Sequence, residues 1–162
     1  MQQAYRSSRD YYRLAVESDP TRTWLITQYL CLHAVIAKQL SKTQQSSKKT
    51  LSPFDIAPAD WWFIGLKLCT AEAEASTDFR RSDALTSLIE LNMLGGFYDE
   101  TWDTLAAQQR IETYAKELAR VEPAGSLRIT ALCRQLHRYR NYWQHEKWDG
   151  LVNAALDCLE LE

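Results

Sequence analysis

The segment "RTWLITQYLCLHAVIAKQL", residues 22–40, decides the fold class. Its apolar side chains recur at steps of three and four residues, which places them on one stripe of an α-helix. A helix with such a stripe has to pack it against other elements of the fold. The stripe consists of Leu25, Tyr29, Leu32, His33, Ile36 and Leu40. Because no segment of the sequence alternates apolar and polar residues as a strand does, we expect an all-α protein.

Further helices are expected on both sides of this segment, and proline and glycine mark most of their ends. They are predicted over residues 2–18, from 58 onward, and over 78–94, 101–121, 126–147 and 151–161. Gly95 and Gly96 are predicted to supply a left-handed helix cap. Residues 41–53, a polar and basic stretch, are predicted to form a loop. We therefore expect one domain, residues 1–162, folded as a bundle of about five to seven helices.

Composition and charge exclude several classes of protein. The chain has 162 residues, of which 46% are hydrophobic and 25% charged, and its formal net charge is −2. The molecule as a whole therefore has no electrostatic preference for nucleic acid. Its first residues lack the layout of a secretory signal, and no apolar run reaches the roughly 18 residues of a membrane span. We expect a cytoplasmic protein with no membrane partner.

The sequence contains no recognisable site for a metal or a cofactor. The four cysteines lie far apart and have no zinc-ligand spacing, so we interpret them as small core residues in a reducing compartment. They are Cys31, Cys69, Cys133 and Cys158. His33 lies on an apolar stripe and is interpreted as a hydrogen-bonded core residue rather than a ligand. Motifs for nucleotide loops, serine hydrolases and zinc hydrolases are also missing.

A basic segment near the end of the chain is the candidate functional site. It contains "RYRNYWQHEKW", residues 138–148, and residues 126–147 hold four Arg, one Lys and two His against a single acid. Drawn as one helix, this segment has an apolar face and a polar face on opposite sides. The apolar face comprises Ile129, Leu132, Leu136, Tyr139 and Trp143. The polar face comprises Arg134, His137, Arg138, Arg140, Asn141, Gln144 and His145.

The residue types on the polar face suit the cleavage of RNA. Arginine offers a fixed fork of donors to a phosphate and keeps its charge at any working pH. Histidine can move a proton near neutral pH, which activation of a ribose 2′-hydroxyl requires. One helix makes a sparse and open site, whereas two copies related by a two-fold axis would place two Arg and two His in one cleft. The alternative interpretation is a basic face that stays in water.

Residues 140–145 resemble a known family. Arg140, with the polar Asn141 after it and His145 five positions on, matches the Rx4-6H motif of HEPN domains, which are small and all-α. The aromatic- and alanine-rich segment 24–40 is also similar to a helix of such domains. The resemblance implies a homodimeric, metal-independent endoribonuclease that leaves 2′,3′-cyclic phosphate and 5′-hydroxyl ends. Members often act as toxins or in phage defence, so an antitoxin or a protein encoded nearby is an expected partner.

The resemblance also assigns roles to individual residues. Arg140 would contact the scissile phosphate, Asn141 would orient it, and His145 would act as acid or base. RNA would be held by Arg134, His137, Arg138 and Gln144. Trp143 stands where toxins inactivated by AMPylation carry Tyr, so the resemblance does not extend to that modification.

Two other classes of function remain open. The first is a HEPN-like module that binds RNA or protein without cleaving anything. The second is an unrelated helical interaction protein, for which Trp61 and Trp62 provide the argument. Neighbours on a helix point about 100° apart, so either both lie in the core of a surrounded helix or one faces a partner. Lys48 and Lys49 could add RNA contacts, although the simpler interpretation is that their loop is solvated.

Overall fold

The computed structural model describes residues 2–41 and 56–160, and over these residues the chain forms seven α-helices and no strand. The all-α prediction, with five to seven helices, is confirmed. The helices are α1 (Gln2–Ser18), α2 (Thr23–Ser41), α3 (Pro58–Ala75), α4 (Phe79–Tyr98), α5 (Thr104–Val121), α6 (Leu127–Arg138) and α7 (Asp149–Leu159).

 Helix α6 continues directly into a π-helical turn, Tyr139–Trp143, and a short connection then leads to α7.

The loop predicted for residues 41–53, with Lys48 and Lys49, lies outside the described residues from position 42 onward. In the described part of the chain, no helix is long and apolar enough to cross a bilayer.

Helix α4 is the central helix of the bundle. It packs against α2, α3 and α5, and its residues from 84 to 95 are almost all buried, as expected of a helix with neighbours on several sides. Asp78 caps its start, because the carboxylate accepts a hydrogen bond from the amide of Arg80 at 3.0 Å. The buried apolar side chains of α4 are Ala84, Leu85, Leu88, Ile89, Leu91, Met93 and Leu94.

Helix α2 buries a wider face than its predicted stripe. Leu25, Tyr29 and Ile36 of the stripe are buried, but so are Ile26 and Leu30 beside it. The reason is that α2 packs against α1, α3 and α4, so more than one side of the helix is covered. The side chain of Leu40, the last member of the predicted stripe, lies outside the described part.

His33 is hydrogen-bonded, as predicted, but it is half-buried at the edge of the core rather than within it. Its Nδ1 lies 3.2 Å from the hydroxyl of Tyr98, and that hydroxyl donates its own hydrogen to the carbonyl of Leu30 at 2.6 Å. The hydroxyl must therefore accept from His33, which places a proton on Nδ1. Burial lowers the pKa of His33 to about 4, so the ring is neutral at physiological pH.

Trp61 and Trp62 are both buried, which resolves the alternatives left open for this pair. Helix α3 packs against both α2 and α4, so more than one side of the helix is covered. The indole of Trp62 donates a hydrogen bond to the carbonyl of Leu91 in α4 at 2.8 Å. The aromatic residue that remains exposed on this helix is Phe63, the next in sequence.

The predicted glycine cap at Gly95 and Gly96 was wrong. Helix α4 continues through both residues to Tyr98, and neither has a positive φ. Gly95 instead allows a close approach, because the indole of Trp102 lies against its backbone and a Cβ added there would overlap the ring. The left-handed glycine is Gly125, with φ of 71°, immediately before the residue that caps α6.

Helix α6 begins where predicted and ends earlier. The hydroxyl of Ser126 accepts a hydrogen bond from the amide of Ile129 at 3.3 Å, as an N-cap does. The predicted helix over 126–147 was wrong beyond Trp143: the α-helix ends at Arg138, the π-helical turn follows, and the backbone of Gln144 leaves helical geometry. The chain turns back there because Trp148, which is fully buried, fills the core beneath Tyr139, with ring centroids 5.4 Å apart.

Candidate functional site

The π-helical turn combines two buried anchors with three exposed residues. Tyr139 and Trp143 are buried and their rings meet edge to face at 5.0 Å, which confirms the predicted apolar face up to its last residue. Between them Arg140, Asn141 and Tyr142 are exposed, and 81% of Tyr142 is accessible to solvent. A rigid base therefore presents a guanidinium, an amide and an aromatic ring side by side.

A buried polar cluster holds the first anchor in place. The Tyr139 hydroxyl donates a hydrogen bond to the sulfur of Cys31 and lies 3.5 Å from a carboxyl oxygen of Glu90. The thiol of Cys31 is 3.1 Å from the same oxygen. Burial raises the pKa of Glu90, so the uncharged carboxyl is favoured relative to an acid in water. This cluster links α2, α4 and the π-helical turn.

Arg140 is held by a chain of three side chains. Its Nη2 lies 2.8 Å from Nδ1 of His137, and Nε2 of His137 lies 2.8 Å from a carboxylate oxygen of Glu160, just after α7. Because a guanidinium has no acceptor, Nδ1 of His137 must accept, and Nε2 then carries the proton that is donated to Glu160. The carboxylate thus fixes the tautomer of His137, and His137 orients Arg140.

His145 lies beyond the π-helical turn, in the connection to α7. Its backbone amide donates to the carboxylate of Asp149 at 3.0 Å, and its Nδ1 accepts from the amide of Lys147 at 3.0 Å. The neutral ring therefore carries its proton on Nε2. It is half-buried, with ring centroids 4.8 Å from Trp148 and 6.1 Å from Phe97.

The predicted RNA-binding residues lie around this turn without forming one continuous row. Arg134, Arg138 and Gln144 are exposed, and Arg138 donates to the side-chain oxygen of Gln135 at 3.3 Å. His137 is only about a third exposed, because it is enclosed between Arg140 and Glu160. The change of helix geometry at residue 139 displaces the residues after it from the face that a continuous α-helix would give.

The structure brings some of the predicted catalytic residues together and separates others. The guanidinium of Arg140 hydrogen-bonds His137, and Nδ1 of His145 accepts from the amide of Lys147. Asn141 is the exposed neighbour of Arg140. The two side chains are thus held by different partners, Arg140 by His137 and His145 by the backbone of Lys147.

Two contributors were missed by the sequence analysis. Glu160 is 23 positions from the histidine it contacts, and no motif connects them. Asp149 was not among the predicted site residues, although its carboxylate accepts a hydrogen bond from the backbone of His145. An acid in the first turn of a helix, just after a loop, was the available signal for Asp149.

Within residues 2–41 and 56–160, no three His, Cys, Asp or Glu side chains are grouped as metal ligands. The sequence matches no protein-family model and no curated protein, and the fold matches no solved structure.

Proposed function

We propose that the protein is a metal-independent endoribonuclease of HEPN type that acts as a homodimer, with Arg140, Asn141 and His145 at a composite site. The observation that carries the proposal is the exposed Arg140, oriented by His137 and Glu160 on a π-helical turn with buried anchors. Turns of this kind are rare and occur frequently at functional sites. An oriented guanidinium is suited to a phosphate, because its fork of donors matches the oxygens.

The chemistry follows from the two side chains. Arg140 binds the scissile phosphate and neutralises charge as the ribose 2′-oxygen attacks phosphorus. The 2′-hydroxyl loses its proton to water, the bond from phosphorus to the 5′-oxygen breaks, and that oxygen takes up a proton. His145 serves as the acid in its protonated form, in which Nδ1 has released the amide of Lys147 and taken up a proton. Nε2 then gives its proton to the 5′-oxygen, and the ring returns to the neutral form. The products are a 2′,3′-cyclic phosphate and a 5′-hydroxyl.

The partners follow from the same proposal. Two copies of the basic face approach across a two-fold axis, so that Arg140 of one copy and His145 of the other act on one phosphate. Arg134, Arg138 and Gln144 extend the contact with RNA, and His137 acts through Arg140. A ribonuclease of this type would serve in the cytoplasm as a toxin or in phage defence, controlled by an antitoxin or a protein encoded nearby.

An RNA cleavage assay in EDTA tests the proposal. Arg140→Ala and His145→Ala are each expected to lower the cleavage rate by about 10²-fold or more. Glu160→Gln, which weakens the support of Arg140, is expected to have a smaller effect of about tenfold. Arg120→Ala removes an exposed arginine at the end of α5 and serves as the matched control. Cyclic phosphate ends identify the reaction, and sedimentation velocity gives the oligomeric state of each variant.

Full activity of a folded, dimeric Arg140→Ala or His145→Ala variant contradicts the composite site. The same holds for a wild-type protein that is monomeric at micromolar concentration and still cleaves.

A second candidate function is a non-catalytic HEPN-like module that binds RNA or protein. The contacts of His145 favour it, since Nδ1 is engaged by Lys147 and the ring packs against Trp148 and Phe97, as in a structural histidine. This candidate predicts that Arg140→Ala weakens RNA binding in fluorescence anisotropy, whereas His145→Ala leaves binding unchanged. Cleavage would then be undetectable in every variant.

A further inference from the structure

A second concave site lies among α3, α4 and α5. It is a cavity of about 300 Å³, and no residue of α6 or of the π-helical turn lines it. Its aromatic lining consists of Trp62, Phe63, Trp102 and Tyr114. A cavity of this volume is at the lower end of the range for small-molecule sites, which typically combine apolar walls with a few placed polar groups.

The two indole rings form a fixed corner of the cavity. Trp62 and Trp102 meet edge to face, with centroids 4.9 Å apart and planes at 85°. Both indole N–H groups already have partners, since Trp62 donates to Leu91 and Trp102 donates to the carbonyl of Asn92 at 3.2 Å. The rings are therefore held by hydrogen bonds, and what they offer to a ligand is aromatic surface.

Two cationic side chains lie over aromatic rings of this cavity. The Arg110 guanidinium lies over Trp102 at 4.6 Å, and Nζ of Lys67 lies over Phe63 at 5.4 Å. The Nε of Arg110 donates to the side-chain oxygen of Asn92 at 2.8 Å, which fixes the guanidinium at one corner. Among the described residues, no acid forms an ion pair with either cation. The cavity therefore contains two positive charges that a ligand can neutralise.

One acid limits the charge that the cavity accepts. Asp99 is part of the lining, and hydrogen bonds from the hydroxyl and the amide of Thr101 lower its pKa, so it is ionised. The two cations and this carboxylate together leave one net positive charge. A ligand with a single negative charge matches that balance, whereas a cation or a multiply charged anion does not.

We propose that this cavity binds a small planar aromatic molecule with one anionic group. The ring packs against Trp62, Trp102 and Tyr114, and the anionic group lies between Arg110 and Lys67. The volume accommodates one or two fused rings. No residue of α6 or of the π-helical turn lines this cavity, so ligand binding here does not depend on the proposed ribonuclease activity.

Isothermal titration calorimetry with three naphthalene probes of equal ring size tests the proposal. They are 2-naphthoate, the neutral 2-naphthalenemethanol and the cationic 2-naphthylmethylammonium. We expect saturable one-to-one binding of 2-naphthoate, binding of the alcohol weaker by about tenfold, and no binding of the ammonium compound. Equal affinity for the anion and the alcohol, or no saturable binding of the anion, would overturn the proposal.

Charge-removing variants locate the site. Lys67→Met keeps the contact with Phe63 and removes the charge of an exposed residue, so its fold is expected to be unaffected. Arg110→Gln is the second variant. Each is expected to weaken binding of 2-naphthoate by about fivefold or more and to leave the alcohol almost unchanged. Lys116→Met and Arg120→Gln make the same changes at exposed positions of α5 outside the cavity. Equal loss in the variants and the controls would refute the site.

Discussion

Replacing Gly95 or Gly96 of α4 by alanine separates the gain in helix propensity from the steric cost of an added methyl group. In a helix interior, Gly→Ala is stabilising by about 1 kcal/mol, because glycine has more conformational freedom to lose. At Gly96 the nearest atom to an added Cβ is Cβ of Lys147 at 3.8 Å, which is an ordinary contact. Gly96→Ala is therefore expected to raise the free energy of unfolding by up to about 1 kcal/mol.

At Gly95 the same methyl group meets the Trp102 ring, which has to move. Overpacking of this kind typically costs about 1–3 kcal/mol, and the hydrogen bond from Trp102 to Asn92 is worth about 1 kcal/mol more. After subtraction of the helix gain, Gly95→Ala is expected to lower the free energy of unfolding by about 1–3 kcal/mol. The two neighbouring variants therefore differ by about 2–4 kcal/mol, with opposite signs.

Urea denaturation followed by circular dichroism measures both variants. A double-mutant cycle with Trp102→Ala supplies the internal test, since without the indole Gly95→Ala should become stabilising like its neighbour. If Gly95→Ala and Gly96→Ala change the stability equally, or if the effect of Gly95→Ala persists without Trp102, the close-approach explanation is refuted.

Two buried titratable groups predict opposite dependences of stability on pH. Burial raises the folded-state pKa of Glu90. The contribution of Glu90 to the free energy of unfolding is therefore greatest below the ordinary carboxyl pKa, and it is lost as pH rises through the pKa of the folded state. Glu90→Gln is expected to lack this loss and to be more stable than the wild type at pH 7 to 8. A wild type that is more stable than the variant at this pH would contradict a raised pKa for Glu90. The pKa of His33 is lowered to about 4, so protonation of the unfolded chain destabilises the fold as pH falls from about 6.5 to 4, by about 3 kcal/mol. His33→Gln, which keeps a donor for Tyr98 but does not titrate, should show a flatter profile in the same urea experiments, and an unchanged slope would count against a neutral buried ring.

The sequence was informative wherever the period of an α-helix governs burial. Ile129, Leu132 and Leu136 lie on the buried side of α6, because they repeat at three- and four-residue steps. The start of that helix could also be predicted, since a serine in front of an apolar periodic segment is a typical N-cap. These features depend on neighbours in the sequence, which is why they could be read from it.

Features that depend on distant residues could not be read in the same way. In the π-helical turn, Tyr139 packs against both Trp143 and Trp148, and Trp148 lies beyond the end of the predicted face. The orientation of Arg140 depends on Glu160, and the role of Gly95 depends on Trp102. A glycine in an apolar segment fits a cap and a close approach equally well, and only the partner decides between them.

The π-helical turn also has a consequence for how related sequences should be aligned. The spacing among Ile129, Leu136 and Tyr139 is constrained by a continuous packed helix, so an insertion there would rotate apolar side chains into water. His145 lies after the helix has ended, in a connection whose geometry is set by Asp149 and Lys147. The interval after the buried Trp143 can therefore gain or lose a residue at less cost to the fold than any position within the π-helical turn. An alignment should hold the upstream positions at fixed intervals and allow this one gap to vary.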